Sequence, residues 1–266
     1  MIKSLFKSSI AKILLVLYVA LLLFWLGINL NGWREGPINN LYGALYPMLS
    51  VIGGVYGLVV IAKRWGGLNS VIGRAIFFLS LGLLGEAFGQ WAWSYFVIIK
   101  GVEVPYPSIA DLGYFSIIPF YGYAMYNLAR ASGVRISLKS FSGKLQALLI
   151  PTLMIVIAYS LFLRNVAVDF TNPIKTFLDF VYPGLEPIAV SIGILTFSIT
   201  RDVLGGRMKA KVLFLISALV IQYVADYSFL YTAGVGSYNN AGFVDLMYTT
   251  ALFIMSLGIL NFREDV

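Results

Sequence analysis

The chain has 266 residues, of which 59% are hydrophobic and only 12% charged, and its mean hydropathy is +0.85. A soluble domain carries about 25% charge to coat its surface, so this composition excludes a soluble fold and makes lipid the main solvent. With no His and no Cys, the chain has no material for a disulfide framework, a thiolate zinc site, a Cys nucleophile, an imidazole base or a His-ligated haem.

A span takes about 20 apolar residues plus a connector, so the length holds at most about eight or nine spans and no separate soluble domain. Eight apolar runs are found. The expected fold is an all-α polytopic transmembrane bundle of about eight spans, forming one integral membrane domain over 1–266. The first run, 12–32, follows Lys3, Lys7 and Lys12 like the basic start of a signal peptide. Its apolar stretch is too long for a signal core and no small-x-small cleavage site follows, so it is expected to remain an uncleaved span. The second run, 43–62, contains Tyr46-Pro47. The third, 75–99, carries Glu86 and Gln90, four apart and so on one helix face. Gly82, Gly85 and Gly89 lie beside them and suit close helix packing. Trp91, Trp93 and Tyr95 near its end read as an interfacial aromatic belt.

Before the fourth run, 112–129, stands Pro105-Tyr-Pro107-Ser108-Ile-Ala110-Asp111. Ser108 is an N-cap candidate with Asp111 at N3, a capping box in form, and the carboxylate suits the helix's positive end. Capping does not exclude ligand contact by the same two residues. The fifth run is 145–163. In the sixth, 174–200, Asp179 and Glu186 lie seven apart on one face and bracket Tyr182-Pro183, with Pro187 directly after. Two prolines should interrupt this span and free carbonyls beside its acids. The seventh, 212–233, carries Gln222 and Asp226, again four apart, and Gly242-x-x-Asp245 leads into the eighth, 243–262.

Placing the basic residues on alternate sides gives 15 on the N-terminal side against 4, namely Arg34, Lys100, Arg164 and Lys175, on the other. The positive-inside rule then puts both termini in the cytoplasm of a multi-pass cell-membrane protein. The net charge of +7 is topology and contact with anionic lipid rather than a nucleic-acid footprint.

The two halves, about 1–135 and 136–266, read as parallel four-helix repeats. Tyr46-Pro47 recurs as Tyr182-Pro183, Glu86/Gln90 as Gln222/Asp226 and Tyr95 as Tyr231, all 136 residues on, while Asp111 and Tyr114 recur as Asp245 and Tyr248 at 134.

A charged side chain at the centre of a span costs about 2.5–3.5 kcal/mol, yet Glu86, Asp179, Glu186 and Asp226 all fall within spans. Two readings stay open. The acids line a cation, proton or polar-ligand site in the outer half of the bundle, or they join helices through Gln, Tyr and Ser neighbours. On the first reading the ligand-binding set is Glu86, Gln90, Ser108, Asp111, Asp179, Glu186, Gln222, Asp226 and Asp245, reached between the 105–111 and 234–242 loops.

Pro-x-Pro-Ser-x-Ala-Asp-x-x-Tyr, carried by Pro105, Pro107, Ser108, Ala110, Asp111 and Tyr114, follows Trp91 and Trp93. Later come Ala225-Asp226, Gly236, Tyr238 and Asp245. Together these resemble the polytopic membrane input regions attached to bacterial diguanylate cyclases of the GGDEF type and to some histidine kinases. The resemblance covers the third to eighth runs and implies a sensory role. It departs in that the sequence ends at Asn261-Phe-Arg-Glu-Asp-Val266 without an output domain, so a signalling or membrane-complex partner is expected to carry the output. The expectation is therefore a non-enzymatic sensory or ligand-binding module with an outward-facing acidic site and no cofactor. A cation- or proton-coupled transporter or channel, and an accessory subunit of a membrane complex, stand as alternatives. The sequence has no H-E-x-x-H or Gly-x-Ser-x-Gly pattern to support an intramembrane enzyme.

Overall fold

The computed structural model describes residues 8–132, 139–165, 168–200 and 206–265. Among these, eight long helices follow one another: α1 Ser9–Leu30, α2 Pro37–Arg64, α3 Val71–Lys100, α4 Ala110–Ala131, α5 Phe141–Leu161, α6 Pro173–Thr200, α7 Gly206–Gly234 and α8 Phe243–Leu260. Seven are long and apolar enough to cross a membrane. α4 has the length, and its composition is diluted by Asp111, four tyrosines, Asn127 and Arg130. The chain is a multi-pass helical membrane bundle.

α2 starts six residues ahead of the apolar run that marks it, because Pro37 occupies its first turn, where the missing N–H costs nothing. The helix is interrupted at Tyr46-Pro47, since Pro47 has no N–H to give the carbonyl four residues back. Leu49 N–H bonds Tyr46 O at 3.1 Å and the helix resumes from Met48.

α8 lies at the centre, 72% of its spanning window being buried, whereas α5 packs on α6 and is 6% buried over its window. α1 and α2 clasp the α8 end of the bundle through side-chain bonds that join distant parts of the sequence. Trp25 Nε1 donates to Gly242 O (3.0 Å), Asn29 Nδ2 to Ala241 O (3.1 Å) and Asn39 Nδ2 to Asn240 O (3.1 Å). Deeper, the Tyr42 and Thr249 hydroxyls pair at 2.8 Å and Ser256 Oγ donates to Leu49 O at 2.9 Å. At the other end Trp65 Nε1 reaches Phe262 O, and Arg263 holds Ser8, so the described ends of the chain lie together.

α3 and α4 form the tightest pair, and their sequences explain it. A side chain at Gly82 would run into Tyr121, one at Gly85 into Ser116, and one at Gly113 into the Gly89 backbone. Small residues bring the two backbones together, which fixes the depth at which Glu86 and Gln90 face α4.

α6 differs from expectation: it runs unbroken through both prolines. Pro187 leaves the Pro183 carbonyl without its helical donor, and Tyr227 Oη of α7 supplies one at 2.9 Å. A neighbouring phenol has replaced the missing N–H, so the helix continues.

Candidate functional site

One cavity of about 630 Å³ opens between α3, α4, α6 and α7, and polar side chains that the sequence scattered over about 140 residues converge on it. α3 contributes Glu86, Gln90 and Trp93; the start of α4 gives Ser108 and Asp111; α6 gives Asp179 and Tyr182; α7 gives Gln222 and Asp226. Tyr46 of α2 and Tyr248 of α8 complete the floor and wall, while Pro105, Tyr106, Lys175, Gly234 and Tyr238 stand at its loop end. Each pair of residues four apart presents both members to one wall because a helix turns by 3.6 residues.

Most of the acids are already engaged by protein donors. Asp111 Oδ2 accepts the Ser108 N–H at 2.7 Å, the reach-back half of a capping box. The other half is displaced, since Ser108 Oγ takes the N–H of Ala110 at 3.2 Å instead of that of Asp111. Asp111 Oδ1 accepts Tyr182 Oη at 2.8 Å, tying α4 to α6. Asp179 Oδ1 accepts Tyr106 Oη at 2.9 Å, which pins the 101–109 loop to α6. Burial, and then the Asp179 carboxylate, push the Tyr106 phenol well above its ordinary range, so it remains a donor. Asp226 Oδ1 accepts Tyr248 Oη at 2.8 Å and lies 3.4 Å from Gln222 Nε2.

Gln90 Oε1 takes Tyr114 Oη at 2.7 Å. This contact and the Tyr248–Asp226 contact correspond to each other, Gln90 and Asp226 being 136 residues apart and Tyr114 and Tyr248 being 134 apart, the spacings that also separate the Tyr-Pro and Asp pairs.

Glu86 stands apart from these. It is 3% exposed, lines the cavity, and makes no hydrogen bond with any described residue, while Asp226 lies close enough to repel it. Its carboxyl group opens onto the cavity, where a polar partner can reach it. In a native protein such a group calls for an explanation.

Asp245 does not join the cavity wall. It is fully buried behind it, with Oδ2 accepting Ala241 N–H (2.8 Å) and Oδ1 accepting Tyr238 Oη (2.9 Å). Its role is to hold the 235–242 loop on the start of α8. Burial, followed by the charge of Asp245, raises the Tyr238 phenol well above its usual range. The Glu186 side chain lies outside the described residues.

Trp93 corrects the belt reading. Trp91 and Tyr95, four apart, are 45% and 44% exposed, but Trp93 lies between them on the opposite face and turns into the cavity wall. It packs edgewise on Phe229 and Tyr238, and its indole N–H is buried without an acceptor among the described residues. The tyrosines are the other feature that residue-type reasoning passed over. Tyr114 and Tyr248, each three residues after a helix-leading Asp, read as markers of duplication and are in fact donors to the polar wall. Their spacing from Asp111 and Asp245 was the available signal.

The assembled site has acceptors in excess at its deep end, phenolic donors committed to three of the acids, and no metal-ligating cluster of three His, Cys, Asp or Glu among the described residues. Its volume is in the range of pockets that enclose a small molecule. No family model matches the chain, and no curated protein or solved structure is found to be similar to it.

Proposed function

We propose that the protein is a ligand-binding module of the cell membrane with a sensory role, its acidic cavity opening on the side opposite both termini. The observation that carries this reading is Glu86. A carboxyl group 3% exposed, without a hydrogen-bond partner among the described residues and facing a cavity, is expensive within a membrane span and has no structural return. Helix glue, as at Asp245, looks different: both of its oxygens are satisfied.

The orientation rests on the 15-to-4 asymmetry of basic residues, which puts the 101–109 and 235–242 loops, and with them the cavity mouth, outside. The sensory role rests on the resemblance of the Pro105–Tyr114 segment to the input regions of bacterial cyclases and kinases. Output then passes to a partner protein, and no chemistry is performed on the ligand. The matched Gln90–Tyr114 and Asp226–Tyr248 contacts support a parallel duplication, with the cavity formed where the two halves meet.

The test is thermal melting of the purified protein against divalent metals, aromatic amines, aromatic carboxylates and neutral alcohols. A ligand that binds only the folded state raises Tm by mass action. The reading expects at least one class to raise Tm in the wild type and to lose that effect in Glu86→Gln and Asp226→Asn. If no class shifts the wild type, the acids are structural and the reading is wrong.

A further inference from the structure

We infer that the cavity takes an organic ammonium ion with an aromatic or aliphatic body, its charged nitrogen seated between Glu86 and Asp226. This rests on the ligand-binding reading above and narrows it to a chemical class.

Charge points to a cation. Four carboxylates line the cavity against one lining amine, Lys175, which is exposed at the start of α6 near Asp169 of the preceding loop. At the mouth Asp111 has both oxygens bonded, and Asp179 holds Tyr106 through one of its own, which ties it to the 101–109 loop. Deeper in, Glu86 makes no hydrogen bond with a described residue, and Asp226 lines the same cavity within electrostatic reach of it. Two acids sharing a buried site do not both ionise without cost, and a cation between them favours the charged form of both while supplying the hydrogen bonds Glu86 lacks.

Shape and wall chemistry separate an ammonium from a metal ion. A divalent ion asks for six or more oxygen ligands at short range, and no such cluster forms among the described residues. The cavity is also far larger than an ion, about 630 Å³, and ten of its 28 lining residues are aromatic. Tyr and Trp rings attract an ammonium through their π faces, more strongly when water is excluded. Aliphatic lining at Ile117, Ile118 and Leu219, on the side of the acids away from the mouth, and at Leu230, toward it, suits the body of an amphipathic amine.

The discriminating probes differ in charge at nearly constant shape: 2-phenylethylammonium, 2-phenylethanol and phenylacetate, with calcium and magnesium chloride as the inorganic arm. Melting and equilibrium dialysis are run on the wild type and on Glu86→Gln, a variant that keeps the side chain's shape. The expected result is that 2-phenylethylammonium binds roughly ten- to hundredfold more tightly than 2-phenylethanol, as loss of a charge-assisted hydrogen bond implies. Glu86→Gln should abolish most of that preference, and phenylacetate should not bind. The wild-type comparison needs no variant, so a misfolded mutant does not rescue the inference. If the alcohol, the carboxylate or a metal salt binds as well as the amine, the ammonium assignment is wrong although the cavity still takes a ligand. If none of the probes binds and the broader panel also fails, both readings fall.

Discussion

Replacing Glu86 by Met separates a site residue from a structural one by the sign of its effect. Met approximates the length of Glu without its polar atoms, and the flanking wall accepts it: Ala87 and Leu83 are buried neighbours, and Tyr121 of α4 packs close by against Gly82. Glu86 has no hydrogen bond to lose among the described residues and shares the cavity with Asp226. The substitution therefore removes a carboxyl group that burial disfavours near Asp226, a gain of up to about 1–3 kcal/mol. For a chain of this size, that corresponds to a rise in Tm on the order of 2–6 °C. Asp245→Asn is the matched control, because Asp245 accepts from both Ala241 and Tyr238. Breaking that arrangement should cost about 1.5–3 kcal/mol and lower Tm. Melting is followed by circular dichroism in one detergent, without added ligand. Stability gained at the cost of binding is the mark of a functional position. If Glu86→Met lowers Tm as far as Asp245→Asn does, Glu86 is holding helices together and the reasoning fails.

Gly113→Ala should destabilise the protein by about 1–3 kcal/mol, since its methyl meets the backbone of Gly89 and Gly85 rather than a side chain able to move; the fall in Tm is the readout. Tyr227→Phe should cost about 0.5–1.5 kcal/mol by orphaning the Pro183 carbonyl. The penalty should shrink in a Pro187→Ala background, where the backbone N–H returns, and a double-mutant cycle measures it. In a chain with no native Cys, Ser108→Cys should react with an impermeant maleimide added to intact cells and Ser140→Cys should not. The reverse pattern overturns the assigned orientation.

The spans were legible because lipid leaves no other option for eight runs of apolar residues, and boundaries missed by up to six residues where helices start ahead of their apolar runs, as at Pro37, Phe141 and Gly206. The shared walls of Glu86 with Gln90 and of Gln222 with Asp226 were also legible, since four-residue spacing has one meaning on a helix. Less accessible was anything decided by contact between distant helices. Two prolines within five residues signalled a break in α6, and the sequence held no sign that Tyr227, 44 residues from Pro183, would supply the missing donor. Spacing likewise left Trp93 among its belt neighbours, when the turn of the helix sends it inward to Phe229 and Tyr238. Asp245 resembled Asp111 in the sequence, but a fully buried position behind the wall separates it from the cavity. Which acids keep a free oxygen depends on where the tyrosines point, and no residue pattern encodes that directly.

The central claim, an acidic cavity open to one side of the membrane, is tested most directly by a single cysteine in its wall. Ala233→Cys, on the α7 side of the cavity, should react with thiosulfonate reagents carrying a trimethylammonium, an uncharged or a sulfonate group. These are added in turn to right-side-out and inside-out vesicles. The account predicts reaction in right-side-out vesicles only, fastest with the cationic reagent and slowest with the anionic one, with that order flattened when Glu86→Gln and Asp226→Asn are added. Equal rates for the three reagents, or reaction from the cytoplasmic face, would contradict it.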